Sequence, residues 1–187
     1  MDIDRAYKHL VDRLSIDRGR FYGGKGDTLP IGAGLVYDRI RFPVFQEEER
    51  LFATAEGLVY LLTHECDVSQ ENQRLFNNSL LVCPIISLEH FVEEYSEEYT
   101  DDALLSFLDA LARRKVYRII YIPTICPQLP YGGLLNLNEI GHTSILEFQQ
   151  EEVERLCSVS SYGADVIDKA MENHLLRPKS VPLPLNY

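Results

Sequence analysis

The sequence has no long apolar run. No stretch approaches the ~20 consecutive apolar residues that a membrane-spanning helix needs. The opening segment, MDIDRAYKHLVDRL, is charged where a signal peptide carries an apolar stretch. We therefore expect no membrane partner and a cytoplasmic location.

Closely spaced cysteines are also missing. The four cysteines, Cys66, Cys83, Cys126 and Cys157, lie far apart and form no CxxC pair. Cys83 and His142 could join Cys66 around a metal, but no zinc-site spacing links them. We expect buried, reduced thiols, and the sequence predicts no metal and no cofactor.

Positive charge is scarce: 18 Lys and Arg face 29 Asp and Glu, which gives a net charge of -11. Such a surface repels a phosphate backbone, so it disfavours nucleic acid and favours a basic or neutral protein partner. The basic cluster at Arg113, Arg114, Lys115 and Arg118 could contact RNA, or it could match the dipole of a helix end. The oligomeric state stays open.

The residues that are present predict one α+β domain over 1–187, since 45% are hydrophobic and 25% charged. We expect a helix and a Gly-rich loop over 1–33 and a barrel core over 34–148 with a helical insertion near 88–115. Two closing helices and a Pro-rich tail should occupy 149–187. The sheet should be a small, strongly bent antiparallel sheet or an SH3-like barrel.

The apolar periodicity gives the approximate bounds of these elements. It predicts strands over 35–42, 57–63, 79–86 and 116–122, and a hairpin over 134–148 that turns near Gly141. It predicts helices over 2–14, 88–95, 101–114, 149–157 and 162–176. Residues expected to share one core include Leu35, Val36, Leu58, Tyr60, Leu62, Leu81, Cys83, Ile119 and Tyr121.

A cluster of reactive side chains follows the second of these strands. His64 could act as a base, Cys66 as a nucleophile or metal ligand, and Asp67 as an orienting acceptor. If the strand continued, His64 and Cys66 would point to the same face. The alternative is structural: Cys66 packs and Asp67 caps the following turn.

The segments GLVYDRIRFP, GLVYLLTHECD and SLLVCPIIS resemble, in their order, the strands of the PemK/MazF-like toxin family. The resemblance covers roughly residues 34–148 and implies an SH3-like barrel followed by helices. The chain also resembles small bacterial proteins that carry a Cys-Asp pair after the second strand, here Cys66-Asp67. Those proteins end near an Arg-Pro or Leu-Pro tail, here Leu176-Arg177-Pro178.

The toxin resemblance implies two site positions. In that family an Arg just before the second main strand and a Ser or Thr near the end of the third support RNA cleavage. Ser87 matches the second position, but no Arg follows Arg50 near the first. The resemblance thus implies a weakened or absent ribonuclease.

Two hypotheses follow. The first is a non-catalytic or degenerate barrel that binds a protein partner in a bacterial toxin-antitoxin or phage-defence system. The second is a PemK/MazF-type endoribonuclease for single-stranded RNA, using Ser87 with Arg39, Arg41 or Arg50 to stabilise the phosphate in the transition state.

Overall fold

The computed structural model describes residues 1–46, 49–69, 71 and 78–175. The Pro-rich tail predicted at 177–187 lies outside these residues. The described residues form five α-helices and eight strands. In chain order they are α1 (Ile3–Val11), β1 (Tyr22–Gly24), β2 (Leu35–Gln46), β3 (Leu51–Leu61), α2 (Glu65–Val68), β4 (Ser79–Ser87), α3 (Leu88–Ser96), α4 (Asp101–Ala112), β5 (Ile119–Ile122), β6 (Gly133–Asn136), β7 (Gly141–Ser144), β8 (Glu154–Val159) and α5 (Ser161–Leu175).

The eight described strands form one antiparallel sheet in the order β1-β8-β2-β3-β4-β6-β5, with β7 also paired to β4. The α+β class with an antiparallel sheet is therefore confirmed, as are the N-terminal helix and the helical insertion between β4 and β5. Pairing among the described strands does not close the sheet, since β1 and β5 end the order at opposite edges, and a barrel is therefore not confirmed.

One part of the sheet is strongly curved. β7 pairs with the first half of β4, and the Thr143 hydroxyl donates a 2.6 Å hydrogen bond to the carbonyl of Arg41 in β2. The β2–β3 register shifts between Tyr37 and Ile40, and Arg39 between them has a φ of 59°. Such a bulge bends a strand, so β2, β3, β4 and β7 curve around a common interior.

The sheet separates two apolar clusters. The cluster inside the curve consists of Leu35, Tyr37, Ile40, Phe42, Val59, Leu61, Val68, Leu80, Val82 and Phe148. The larger one lies under the helices and includes Val36, Tyr60, Cys83 and Tyr121. The expectation of one shared core holds for seven of its nine residues, which belong to this larger cluster or pack against it. Leu35 belongs to the cluster inside the curve instead, because neighbouring strand residues point to opposite faces. Leu81, expected in that core, is 49% exposed.

Two element predictions for the last third of the chain are wrong. Residues 134–148 do not form a hairpin, because β6 and β7 pair with successive halves of β4 rather than with each other. The helix predicted over 149–157 is replaced by β8, which lies between β1 and β2. Val153, Leu156 and Cys157 have helical spacing, but Cys157 pairs with Val36 in the sheet. Only one closing helix, α5, is present among the described residues.

The Gly-rich loop also contains a short strand that the sequence did not predict. β1 pairs with β8, and Ser158 Oγ donates a hydrogen bond to the carbonyl of Gly24. Arg155 Nη1 donates to the carbonyls of Gly26 and Leu29 at 2.6 and 2.8 Å. The loop is therefore held against β8 by contacts distant in sequence.

Candidate functional site

The reactive cluster predicted from the sequence lies at the turn after β3. β3 ends at Leu61, and Thr63 Oγ1 accepts a 2.6 Å hydrogen bond from the backbone N–H of Leu81. His64 then occupies the N-cap of α2, where its side chain makes no capping hydrogen bond. Because the strand has already ended, the alternation that would place His64 and Cys66 on one face does not apply.

Within α2, the Cys66 thiol donates to Oδ1 of Asp67 at 3.9 Å. His64 and Cys66 are exposed and Asp67 is half-buried. None of the described residues forms a group of three or more His, Cys, Asp or Glu side chains that could hold a metal ion. The structure brings Cys66 and Asp67 into contact at the surface.

Ser87 lies at the opposite end of β4. It is the N-cap of α3, and its Oγ accepts a 3.1 Å hydrogen bond from the backbone N–H of His90. Ser87 is six positions further along β4 than Leu81, which the Thr63 bond holds beside the turn. At about 3.3 Å per residue, a straight strand covers about 20 Å in six steps. The structure thus does not bring Ser87 together with His64, Cys66 and Asp67.

An open cleft adjoins Ser87. His90 is beside it, and the cleft walls carry the carboxylates of Asp38, Glu56 and Glu139. No arginine or lysine is among the described residues that line this cleft. Its surface therefore repels phosphate.

The three arginines considered for phosphate binding do not line the cleft at Ser87. Arg41 is held by Glu147, with Nε to Oε2 at 2.8 Å and Nη2 to Oε1 at 3.3 Å. This bidentate contact raises the pKa of the guanidinium. Arg39 is in the β2 bulge, and Arg50 has a φ of 55° in the turn before β3.

The thiols fall into two groups, so the expectation of four buried cysteines is half wrong. Cys66 and Cys126 are exposed, whereas Cys83 and Cys157 are buried. The Cys83 thiol donates to the carbonyl of Asn136 at 3.1 Å, and burial raises its pKa. Burial also raises the pKa of Cys157 to about 12. Cys83 and Cys157 are therefore residues of the larger apolar cluster.

A feature that the sequence did not reveal lies at the end of the β2–β3 hairpin. Phe45 and Phe52 pair directly across the two strands, with their ring centroids 5.3 Å apart. Phe52 is 72% exposed and Phe45 is 54% exposed, and the adjacent Leu51 is also exposed. The sequence signal that could have indicated this feature is an aromatic residue on each side of the acidic segment 46–50. We call Phe45, Leu51 and Phe52 the hairpin patch.

A cleft with polar walls lies beside the hairpin patch. Phe45 and Phe52 form one side, and Arg118, Glu139 and His142 contribute charged or ionisable groups. The remaining described residues lining it are Pro43, Val44, Asn136, Asn138, Ile140 and Gly141. Aromatic residues are enriched at protein interfaces, and the rim of such an interface is polar.

Comparisons of the chain with protein-family models, with curated proteins and with solved structures gave no match. None of the described helices has both the length and the apolarity that crossing a bilayer requires.

Proposed function

We propose that this chain is a non-catalytic, protein-binding protein that contacts its partner through the hairpin patch. The observation that carries the proposal is the exposure of Phe45 and Phe52. Exposed aromatic rings packed on one another are expensive to leave in water, and aromatic residues dominate the energetics of protein interfaces. Docking on a partner removes this surface from water.

The charge near the hairpin patch determines what kind of surface the partner should present. The four residues 47–50 that join β2 to β3 have the sequence EEER, and the whole chain carries a net charge of -11. Complementary potentials guide association, so the partner should present an apolar pocket surrounded by neutral or basic residues.

We further propose that the curved part of the sheet is a degenerate SH3-like barrel of the PemK/MazF-like kind. The curvature of β2, β3, β4 and β7 around their apolar interior and the Thr143–Arg41 hydrogen bond support this proposal. A barrel that has kept its fold while its site has changed would fit a binding role in a bacterial toxin-antitoxin or phage-defence system.

A competing proposal is an endoribonuclease, and one observation favours it: Ser87 adjoins an open cleft next to His90. The carboxylates of that cleft count against it, because RNA cleavage needs positive charge at the phosphate. Induced expression that stops growth and degrades cellular RNA, with both effects lost in Arg50→Ala, would support the nuclease and contradict the binding proposal.

The binding proposal is tested by comparing variants in co-purification. Phe52→Ala should remove the partner that elutes with the native chain, because truncating a central aromatic contact costs roughly 2 kcal/mol or more, about thirtyfold in affinity. Leu29→Ala is the matched control, since Leu29 is also an exposed apolar side chain but lies before β2. A native chain that elutes alone, or equal partner recovery with both variants, would contradict the proposal.

A further inference from the structure

A second apolar surface lies between α3 and α4. A cleft of about 390 Å³ opens there, and four aromatic side chains line it. Its described lining is Phe91, Tyr95, Tyr99, Ala103, Leu104, Phe107 and Ile119. We call this the aromatic cleft.

The rings of the aromatic cleft form a continuous row. Phe91 stacks on Phe107 with centroids 5.3 Å apart and lies 4.7 Å from Tyr95. Tyr95 is in turn 6.0 Å from Tyr99, which is 53% exposed. Ring faces at the open end of the row are therefore accessible to a ligand.

Carboxylates lie near the same rings. Glu94 follows Phe91 by three residues in α3 and so lies on its side of the helix, and Glu98 follows in the turn after α3. Burial raises the pKa of Tyr95, and the charges of Glu94 and Glu98 raise it further, with a smaller contribution from Glu139. The backbone N–H of Glu98 donates to the carbonyl of Tyr95 at 3.3 Å, and Glu139 lines an open cleft together with His90, the ion-pair partner of Glu94. The three carboxylates therefore lie near the aromatic cleft.

The negative charge is poorly balanced. Glu94 has a described ion-pair partner in His90, at 3.8 Å. Neither Glu98 nor Glu139 forms an ion pair with any lysine or arginine in the part of the chain that the structure describes. Burial, and then the charge of Glu94, raise the pKa of Glu139. A cation bound here would relieve this repulsion.

We propose that the aromatic cleft binds the guanidinium group of an arginine side chain presented by the protein partner. A guanidinium is planar and weakly hydrated, so it can stack on an aromatic face while its N–H groups donate to carboxylates. An ammonium group is more strongly hydrated and offers no flat surface. The inference rests on the proposed binding function, because the arginine belongs to the partner.

Glu139 connects this cleft to the hairpin patch. The residue lines the cleft beside Phe45 and Phe52, and it also lines the cleft at Ser87 together with His90 of α3. One partner can therefore place an apolar side chain at the hairpin and an arginine between α3 and α4.

The proposal is tested with a small probe that needs no partner. N-acetyl-arginine methylamide at millimolar concentrations should shift the NMR signals of the Tyr95 and Tyr99 rings. The citrulline analogue, which keeps the shape but lacks the charge, should leave them unchanged. Tyr99→Ala and Glu139→Gln should each weaken binding roughly fivefold, whereas Tyr117→Ala, outside the cleft, should not.

Several outcomes would overturn the proposal. These are no ring shifts with arginine, equal shifts with citrulline, and equal affinity for N-acetyl-lysine methylamide. Shifts with tetramethylammonium but not with arginine would instead assign the cleft to a small quaternary ammonium ligand. The co-purification test of Phe52→Ala is independent of this titration, so failure of the arginine site and failure of the hairpin proposal are distinguishable.

Discussion

At the scale of single residues, the four thiols differ in how deeply they are buried. Cys66 and Cys126 are exposed, and Cys83 and Cys157 are buried with raised pKa values. Iodoacetamide reacts with the thiolate, so both exclusion of the reagent and protonation protect the buried pair. We expect native protein to be labelled at Cys66 and Cys126, and at Cys83 and Cys157 only after unfolding, as measured by peptide mass spectrometry.

The same labelling tests the His64–Cys66 hypothesis. Because β3 ends before His64, we expect His64→Ala to leave the rate at Cys66 unchanged, with Cys126 as the internal reference. A rate that falls at Cys66 alone would restore His64 as the base of a reactive thiol.

The cluster of His64, Cys66 and Asp67 shows how much the sequence can predict about single residues. The sequence showed a base, a thiol and a carboxylate within four residues, and the structure does place Cys66 against Asp67. The sequence could not show that β3 ends at Leu61 or that Ser87 lies at the far end of β4 from the cluster, because both depend on how β4 pairs with β3. The hairpin patch was missed for a related reason: exposure is a property of tertiary packing, and Phe45 and Phe52 look like ordinary strand residues.

At the scale of elements, the junction of α5 with the sheet depends on a glycine. A Cβ at Gly163 would collide with the carbonyl of Phe21 and with Val159 Cγ1, so only glycine lets α5 approach β1 and β8 this closely. The backbone N–H of Ser160 donates to the same Phe21 carbonyl at 2.9 Å. Contacts with Phe21, which is distant in sequence, thus fix the start of α5.

Gly163→Ala should therefore lower the free energy of unfolding by about 1 to 3 kcal/mol, the usual cost of forced overpacking. Urea unfolding followed by circular dichroism measures it. Gly57→Ala is the matched control, since a Cβ there meets nothing within 4 Å and should change the stability little. Equal midpoints for the two variants would show that α5 is not packed as described.

Elements with local signals were predicted well, and elements defined by distant pairing were not. Helix α4 has leucines on one side, a Thr100 cap and two aspartates in its first turn, all readable in the sequence. At β8, the helical spacing of three apolar residues predicts a helix, and only pairing with β1 and β2 makes the segment a strand. The single-domain organisation stays a prediction.

At the scale of the whole molecule, the acidic charge and the exposed apolar surfaces support a common role. A net charge of -11 keeps copies of the chain apart, so exposed rings at the hairpin patch and the aromatic cleft need not cause self-association. The same charge attracts a basic partner. The central claim is that such a partner covers the β2–β3 hairpin.

Amide hydrogen exchange of the chain, alone and with its co-purified partner, tests this claim most directly. Binding should slow exchange at the described ends of the hairpin, 42–46 and 51–55, because docking removes their edge from water. Strand β8 lies inside the sheet and should exchange equally in both samples. Unchanged exchange in the hairpin with protection elsewhere, or failure to isolate any partner, would contradict the account.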